Sequence, residues 1–205
     1  MNETALTALK HKGKLWVHNM MIKNQTRTKP GSISYLLYGE KPSEQSINIK
    51  FGRFGEFLAK EMIRNNSNLE LLECGVQVIN NKMKDVDLLF MDNAKKIIYY
   101  RELKGNIELD TEKLPATIAK CNEILAFLKY KYVDYYIDYA ILNWSIYNRR
   151  LLTAGLSNIK LLEKEGLRIE HMGEFCDTAG IAWGEEDYYS YFREIGGNIS
   201  DSAAA

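Results

Sequence analysis

Lys84-Asp85-Val86-Asp87-Leu88-Leu89-Phe90, then Met91-Asp92-Asn93-Ala94-Lys95-Lys96, then Ile97-Ile98-Tyr99-Tyr100-Arg101-Glu102-Leu103-Lys104: these residues decide how the chain folds. Two apolar, aromatic and β-branched runs flank the polar Asp-Asn-Ala-Lys-Lys segment. That arrangement predicts two antiparallel strands joined by a short turn. Pairing about the turn places residues 85–87 opposite residues 102–104, so the charged residues gather at the end of the hairpin away from the turn.

Side chains alternate along a strand, so Glu102 and Lys104 share one face, and Asp85 and Asp87 share one face of theirs. Carboxylates brought together in this way repel unless a cation stands between them. A hard divalent ion such as Mg²⁺ is held by one or two carboxylates, with water and phosphate oxygens completing its shell. Such an ion makes a nucleophile of water and stabilises charge on a phosphate. A neighbouring lysine positions or deprotonates the water. The pattern therefore supplies the parts for phosphodiester hydrolysis.

Asp87 followed, after the turn, by Glu102-Leu103-Lys104 on an apolar strand resembles the motif of the PD-(D/E)XK nuclease superfamily, and of type II restriction endonucleases within it. The proline that precedes the aspartate in many members is replaced by Val86, and Asp85 competes with Asp87 as the ligand. Asp87 is favoured because it leads directly into Leu-Leu-Phe. The resemblance covers residues 43–145. It implies an α/β fold, a mixed four- to five-stranded sheet flanked by helices on both faces. It also implies Mg²⁺ held by Asp87 and Glu102 with the Leu103 carbonyl, and a water activated by Lys104. The expected activity is sequence-specific cleavage of double-stranded DNA by a homodimer, alongside a cognate DNA methyltransferase. A structure-selective nuclease such as a junction resolvase, or a catalytically inactive DNA-binding subunit of the same fold, is the alternative.

Upstream, apolar residues at 47, 51, 54, 58 and 62 predict a helix over 43–65. Its Gly52-x-x-Gly55-Glu56 resembles the helix behind the active site of many restriction endonucleases, which makes Glu56 either an assistant of the metal or a solvated residue. Arg53 is a candidate phosphate contact. Two glycines within a helix weaken it by roughly 1 kcal/mol each, so close approach of another element is expected there. Residues 69–80 read as a further strand of an antiparallel meander. After Lys104, a helix to Lys131 capped by Asp110 is predicted, with Asn106, Thr111, Lys113 and Lys120 as candidate DNA contacts. The run 135–144 predicts a strand parallel to the Glu102 strand. Helices are expected at 156–165 and from Glu185, with a short strand at 166–170 and a turn or short helix at 173–176.

The 205 residues suit a single nuclease domain over 1–205, with a core at 43–145, an N-terminal extension at 1–42 and a C-terminal helical subregion at 146–200. Ala203-Ala204-Ala205 reads as a cloning remnant. Net charge is zero, but residues 1–64 carry eleven Lys/Arg against five Asp/Glu. This directs any polyanion to the N-terminal third. There, Asn24, Gln25, Arg27 and Lys29 form a polar, basic loop of a kind that grips DNA, or an ordinary exposed loop. Cys74, Cys121 and Cys176 are too scattered for zinc or a disulfide framework. His11, His18 and His171 show no metal-ligand spacing, which argues against HNH-type and zinc hydrolases. A nucleotide-binding P-loop is lacking. With no leader pattern and no long apolar run, a cytoplasmic location is expected.

Overall fold

The computed structural model describes residues 3–107, 113–152 and 155–204. Its central strand is β5 (Ile97–Lys104), in which Ile98 through Leu103 are all buried. Such continuous burial, charged Arg101 and Glu102 included, belongs to a strand covered on both faces. β4 (Leu88–Asp92) pairs antiparallel with it, Leu88 opposite Arg101 and Asp92 opposite Ile97. On the other side lies β6 (Tyr136–Asn143), parallel to β5, with Lys104 opposite Asn143. β7 (Ile169–His171) follows in parallel, and β1 (Glu70–Leu71) closes the far edge antiparallel to β4. The result is the expected mixed sheet, in the order β1-β4-β5-β6-β7.

Helices cover both faces. α1 (Glu3–Val17), α3 (Glu44–Arg64), α6 (Met172–Ala179) and α7 (Glu185–Ala204) enclose one core with Leu88, Phe90, Tyr99 and Leu103. α4 (Leu114–Lys131) and α5 (Leu156–Lys164) enclose the other with Leu89, Ile98, Tyr100 and Ile141. The alternation of β4 and β5 divides their side chains between these cores. The short helix α2 (Ile33–Tyr38) lies between α1 and α3. α1 brings Leu9 and Val17 into the first core, and a π-helical turn at His18–Ile22 adds Met21. α7 runs through Ala204, two residues into the terminal alanines. No described helix is long and apolar enough to cross a membrane.

The hairpin turn is held by Asp92, whose Oδ1 accepts from the Lys95 N–H at 2.9 Å. That bond and the Lys95 ammonium keep the Asp92 carboxyl below the usual aspartate range. The expected three-stranded meander is corrected, because 69–80 is not one strand and 85–91 is not another. β2 (Gly75–Ile79) and β3 (Lys82–Val86) form a separate two-stranded ribbon. Asn80 and Asn81, both at positive φ, make its tight turn. The chain leaves the ribbon at Val86 and joins the main sheet at Leu88, so Asp85 lies opposite Val76, exposed, rather than opposite Lys104.

The close approach expected at the α3 glycines occurs at Gly55. A Cβ there would lie 2.5 Å from the Trp144 ring. Gly52 has open space instead. Gly55→Ala is therefore expected to cost about 1–3 kcal/mol by overpacking, while Gly52→Ala stabilises by roughly 1 kcal/mol through helix propensity. Urea denaturation of the two variants checks the contrast.

A buried ion-pair network spans the parallel strands. Arg101 is 1 % exposed and reaches the Asp138 carboxylate at 2.8 Å and Glu170 Oε1 at 3.1 Å. Sequence reading gives no hint of it, since Asp138 and Glu170 lie on other strands.

Candidate active site

Asp87 sits in the one-residue break between β3 and β4. Its Oδ2 accepts from the Leu103 N–H at 2.8 Å. The strand that would have offered a carbonyl has turned away, so the carboxylate takes its place on β5. That bond pins the carboxyl beside Glu102, the next residue back. N–H and C=O of one strand residue leave the same edge, so the Leu103 carbonyl also emerges on the Asp87 side.

Glu102 and Lys104 lie on the α4 face of β5 together with Tyr100, as alternation requires. Lys104 Nζ is 3.5 Å from Glu102 Oε1, and the Tyr100 hydroxyl donates to Glu102 Oε2 at 3.1 Å. The unexpected member is Lys120. Assigned from sequence to DNA contact, it reaches in from α4 to Glu102 Oε2 at 2.6 Å and Asp87 Oδ1 at 3.3 Å. Its position was legible in part: Lys120 falls three residues after buried Thr117 and four before buried Ile124, on the inner stripe of α4.

Burial is the main cause that lifts Asp87 to about 7; Glu102 and, more weakly, Glu56 add to it, against the pull of Lys120 and the Leu103 N–H. Burial works against the Lys120 ammonium, yet Asp87 and Glu102 outweigh it and hold its pKa above the ordinary lysine value. The Cys121 thiol, buried and facing Glu102, is pushed up to about 12. These shifts describe a desolvated cluster in which two carboxylates face two lysines, the setting in which perturbed carboxyls do chemistry. Asp87, Glu102 and the Leu103 carbonyl form an all-oxygen donor set suited to Mg²⁺, with water and phosphate oxygens left to complete the shell. No cluster of three or more His, Cys, Asp or Glu ligands occurs among the described residues.

Asp87 carries a higher pKa folded than unfolded, so the stability it confers is full at acid pH and is lost as pH rises through about 7. Asp87→Asn is accordingly expected to gain about 1–3 kcal/mol over the parent at pH 8, with the gain vanishing below about pH 4. Urea denaturation at the two pH values measures it.

The other sequence candidates surround this centre unevenly. Glu56, on α3, pairs with Lys60 at 3.1 Å and is close enough to raise Asp87. Arg53 is exposed on the same helix. Asn106 and Lys113 are exposed and line a cavity of about 420 Å³ with Phe51, Gly52 and Trp144, next to the end of β5. The helix begins with Lys113 as its N-cap and Pro115 in its first turn. Thr111 and Asp110 lie outside the described residues. The loop of Asn24, Gln25, Arg27 and Lys29 is tied to the start of α3: Ser43 N–H donates to Thr26 O, and Thr28 N–H to Lys41 O, each at 2.8 Å. Within it Asn24 bonds the Asn19 carbonyl and Arg27 faces Glu40. Lys29 is exposed and the Gln25 amide nitrogen is buried without a partner. The cysteines are free, two of them buried and Cys74 half-buried.

No protein-family model and no curated protein matches this chain.

Proposed function

We propose that the protein is a Mg²⁺-dependent, sequence-specific double-stranded DNA endonuclease of the PD-(D/E)XK type. The observation that carries this reading is the convergence of Asp87, Glu102 and Lys104 at one end of the β4–β5 hairpin, with Asp87 bonded to Leu103 and Lys104 beside Glu102. A Mg²⁺ ion held by Asp87, Glu102 and the Leu103 carbonyl would supply Lewis-acid stabilisation of the phosphate and acidify a water.

Each residue then has a part. Lys104 Nζ donates to the attacking water, orients it and steadies the negative charge that develops. Lys120 neutralises the two carboxylates in the cation-free protein and remains beside them as a phosphate partner. Glu56 extends the acidic rim toward the water. The buried wall of Tyr100 and Cys121 keeps the dielectric low, which strengthens these interactions.

Exposed Arg53 and Lys113, and the basic N-terminal third, supply positive charge for duplex phosphates. A homodimer suits a two-fold DNA site. Ile33, Leu36, Leu37 and Tyr38, each more than half exposed, provide an apolar surface on α2 for it. A restriction role places the enzyme in the cytoplasm with a cognate methyltransferase that protects host DNA.

The test is incubation of the purified protein with a long unmethylated duplex, with Mg²⁺ or with EDTA. Discrete Mg²⁺-dependent fragments are the expected outcome. An intact duplex together with cut four-way junctions would replace this reading by a structure-selective nuclease. Binding without cleavage of either substrate would leave a DNA-binding subunit.

A further inference from the structure

Gly52 and Gly55 both interrupt α3, but only Gly55 has a packing reason. Gly55 makes room for the Trp144 ring, and Gly105, just past the end of β5, lies against the same ring, where a Cβ would come within 3.1 Å. Gly52 is exposed in the middle of the helix, and a Cβ there would meet no neighbouring group within 4 Å. Glycine at such a position weakens the helix relative to alanine and relieves no crowding within the protein. A local rule broken without an internal compensation marks a functional site, and a bare stretch of backbone is what the close approach of a ligand requires.

Gly52 forms part of the wall of the cavity of about 420 Å³ next to the end of β5. Gly105 and Asn106, which directly follow Lys104, line it too, as do half-buried Phe51 and Lys113, the N-cap of α4. Gly52, Asn106 and Lys113 are all exposed, so the cleft is reached from solvent. Its volume falls in the range of small-ligand sites, about 300–1,000 Å³. Lys113 is the one charged residue among the described lining residues, so an anion meets attraction and no repelling carboxylate. The positive end of the α4 dipole adds to that charge at the same residue. Phe51 supplies an apolar face beside it. A phosphate joined to a deoxyribose ring has the matching chemistry.

We propose that Gly52 is a clearance position for the DNA strand being cut: the strand passes over the bare backbone of α3, one sugar enters the cleft beside Phe51, and its phosphate is held by Lys113 at the start of α4. The inference rests on the nuclease reading and adds a substrate-positioning residue to it. Contacts of this kind, to phosphate and sugar, fix the register of a duplex without reading its sequence.

The experiment uses the whole protein with mixed-sequence duplexes and four-way junctions, Ca²⁺ replacing Mg²⁺ to prevent cutting. Gly52→Leu fills the clearance with a better helix former, so its Tm is expected to be unchanged or higher while DNA affinity falls about tenfold or more. Lys113→Gln should weaken binding and lower the slope of log affinity against log salt by about one, as the loss of a single phosphate contact does. In the Gly52→Leu background Lys113→Gln should cost little more, because the strand has already left the cleft. Wild-type affinity in a folded Gly52→Leu variant, fully additive losses in the double variant, or a salt slope unmoved by Lys113→Gln would overturn the clearance and leave the nuclease reading standing. Failure of the wild type to bind any of these DNAs would remove both. The salt slope of Lys113→Gln keeps the inference testable even if Gly52→Leu folds poorly.

Discussion

Lys104→Ala is expected to lower Mg²⁺-dependent cleavage by about 10²–10⁴-fold, the usual contribution of a positioned proton-transfer or charge-stabilising side chain. The fold should tolerate it. Lys104 is the last residue of β5, its backbone carbonyl is held by the Trp144 N–H at 3.1 Å, and its side chain is only partly buried. Circular dichroism melts should therefore be nearly superimposable while single-turnover rates diverge. Arginine is a poor substitute, since a planar guanidinium cannot give up its proton and places its donors differently. Lys120→Met makes the informative comparison. It leaves Lys104 in place but removes the ammonium lying 2.6 Å from Glu102 and 3.3 Å from Asp87. That variant should melt lower without divalent cations and gain more stability from Mg²⁺ than the parent, because the ion no longer competes with an internal cation. Undiminished cutting by Lys104→Ala would remove Lys104 from the chemistry.

The largest stability effect is expected away from the site. Arg101→Leu leaves Glu170, 1 % exposed, with only the more distant Arg168 guanidinium at 3.6 Å, and leaves the Asp138 carboxylate with Arg168 alone. Removing one member of a buried pair typically costs about 3–5 kcal/mol, because the remaining charge stays desolvated. For a small domain that is a large part of the total stability. Adding Glu170→Leu should recover most of the loss, since an apolar replacement of a whole buried pair is often neutral or stabilising. Urea titrations of the single and double variants measure the coupling. If Arg101→Leu costs less than about 1 kcal/mol, the network contributes little to the fold.

Much of the architecture follows from local pattern. The apolar run from Ile97 to Tyr100 reads as a buried strand, and the turn chemistry of Asp92 to Lys96 folds it back on Leu88–Met91. Ser43 caps α3 through the Ser46 N–H, one residue before the helix that the spacing of Ile47, Phe51, Phe54, Leu58 and Met62 predicts. Tyr136–Asn143, following a helix, joined the sheet in parallel as crossover topology favours. What misled was one register. Asn80-Asn81 is a two-residue hairpin turn, and recognising it would have assigned Asp85 to the ribbon instead of the site.

The sequence by itself determined the α/β class, the central hairpin, and the placing of Glu102 and Lys104 on one face of β5, because strand alternation and turn chemistry act between near neighbours. Only the tertiary structure decided which aspartate meets them, that Lys120 bridges the carboxylates, and that Arg101 is neutralised across two further strands. Each of those depends on groups far apart in the chain being desolvated together. Periodicity carries no record of burial shared between separate elements, whereas the packed sheet and helices fix both the distance and the dielectric through which such charges act.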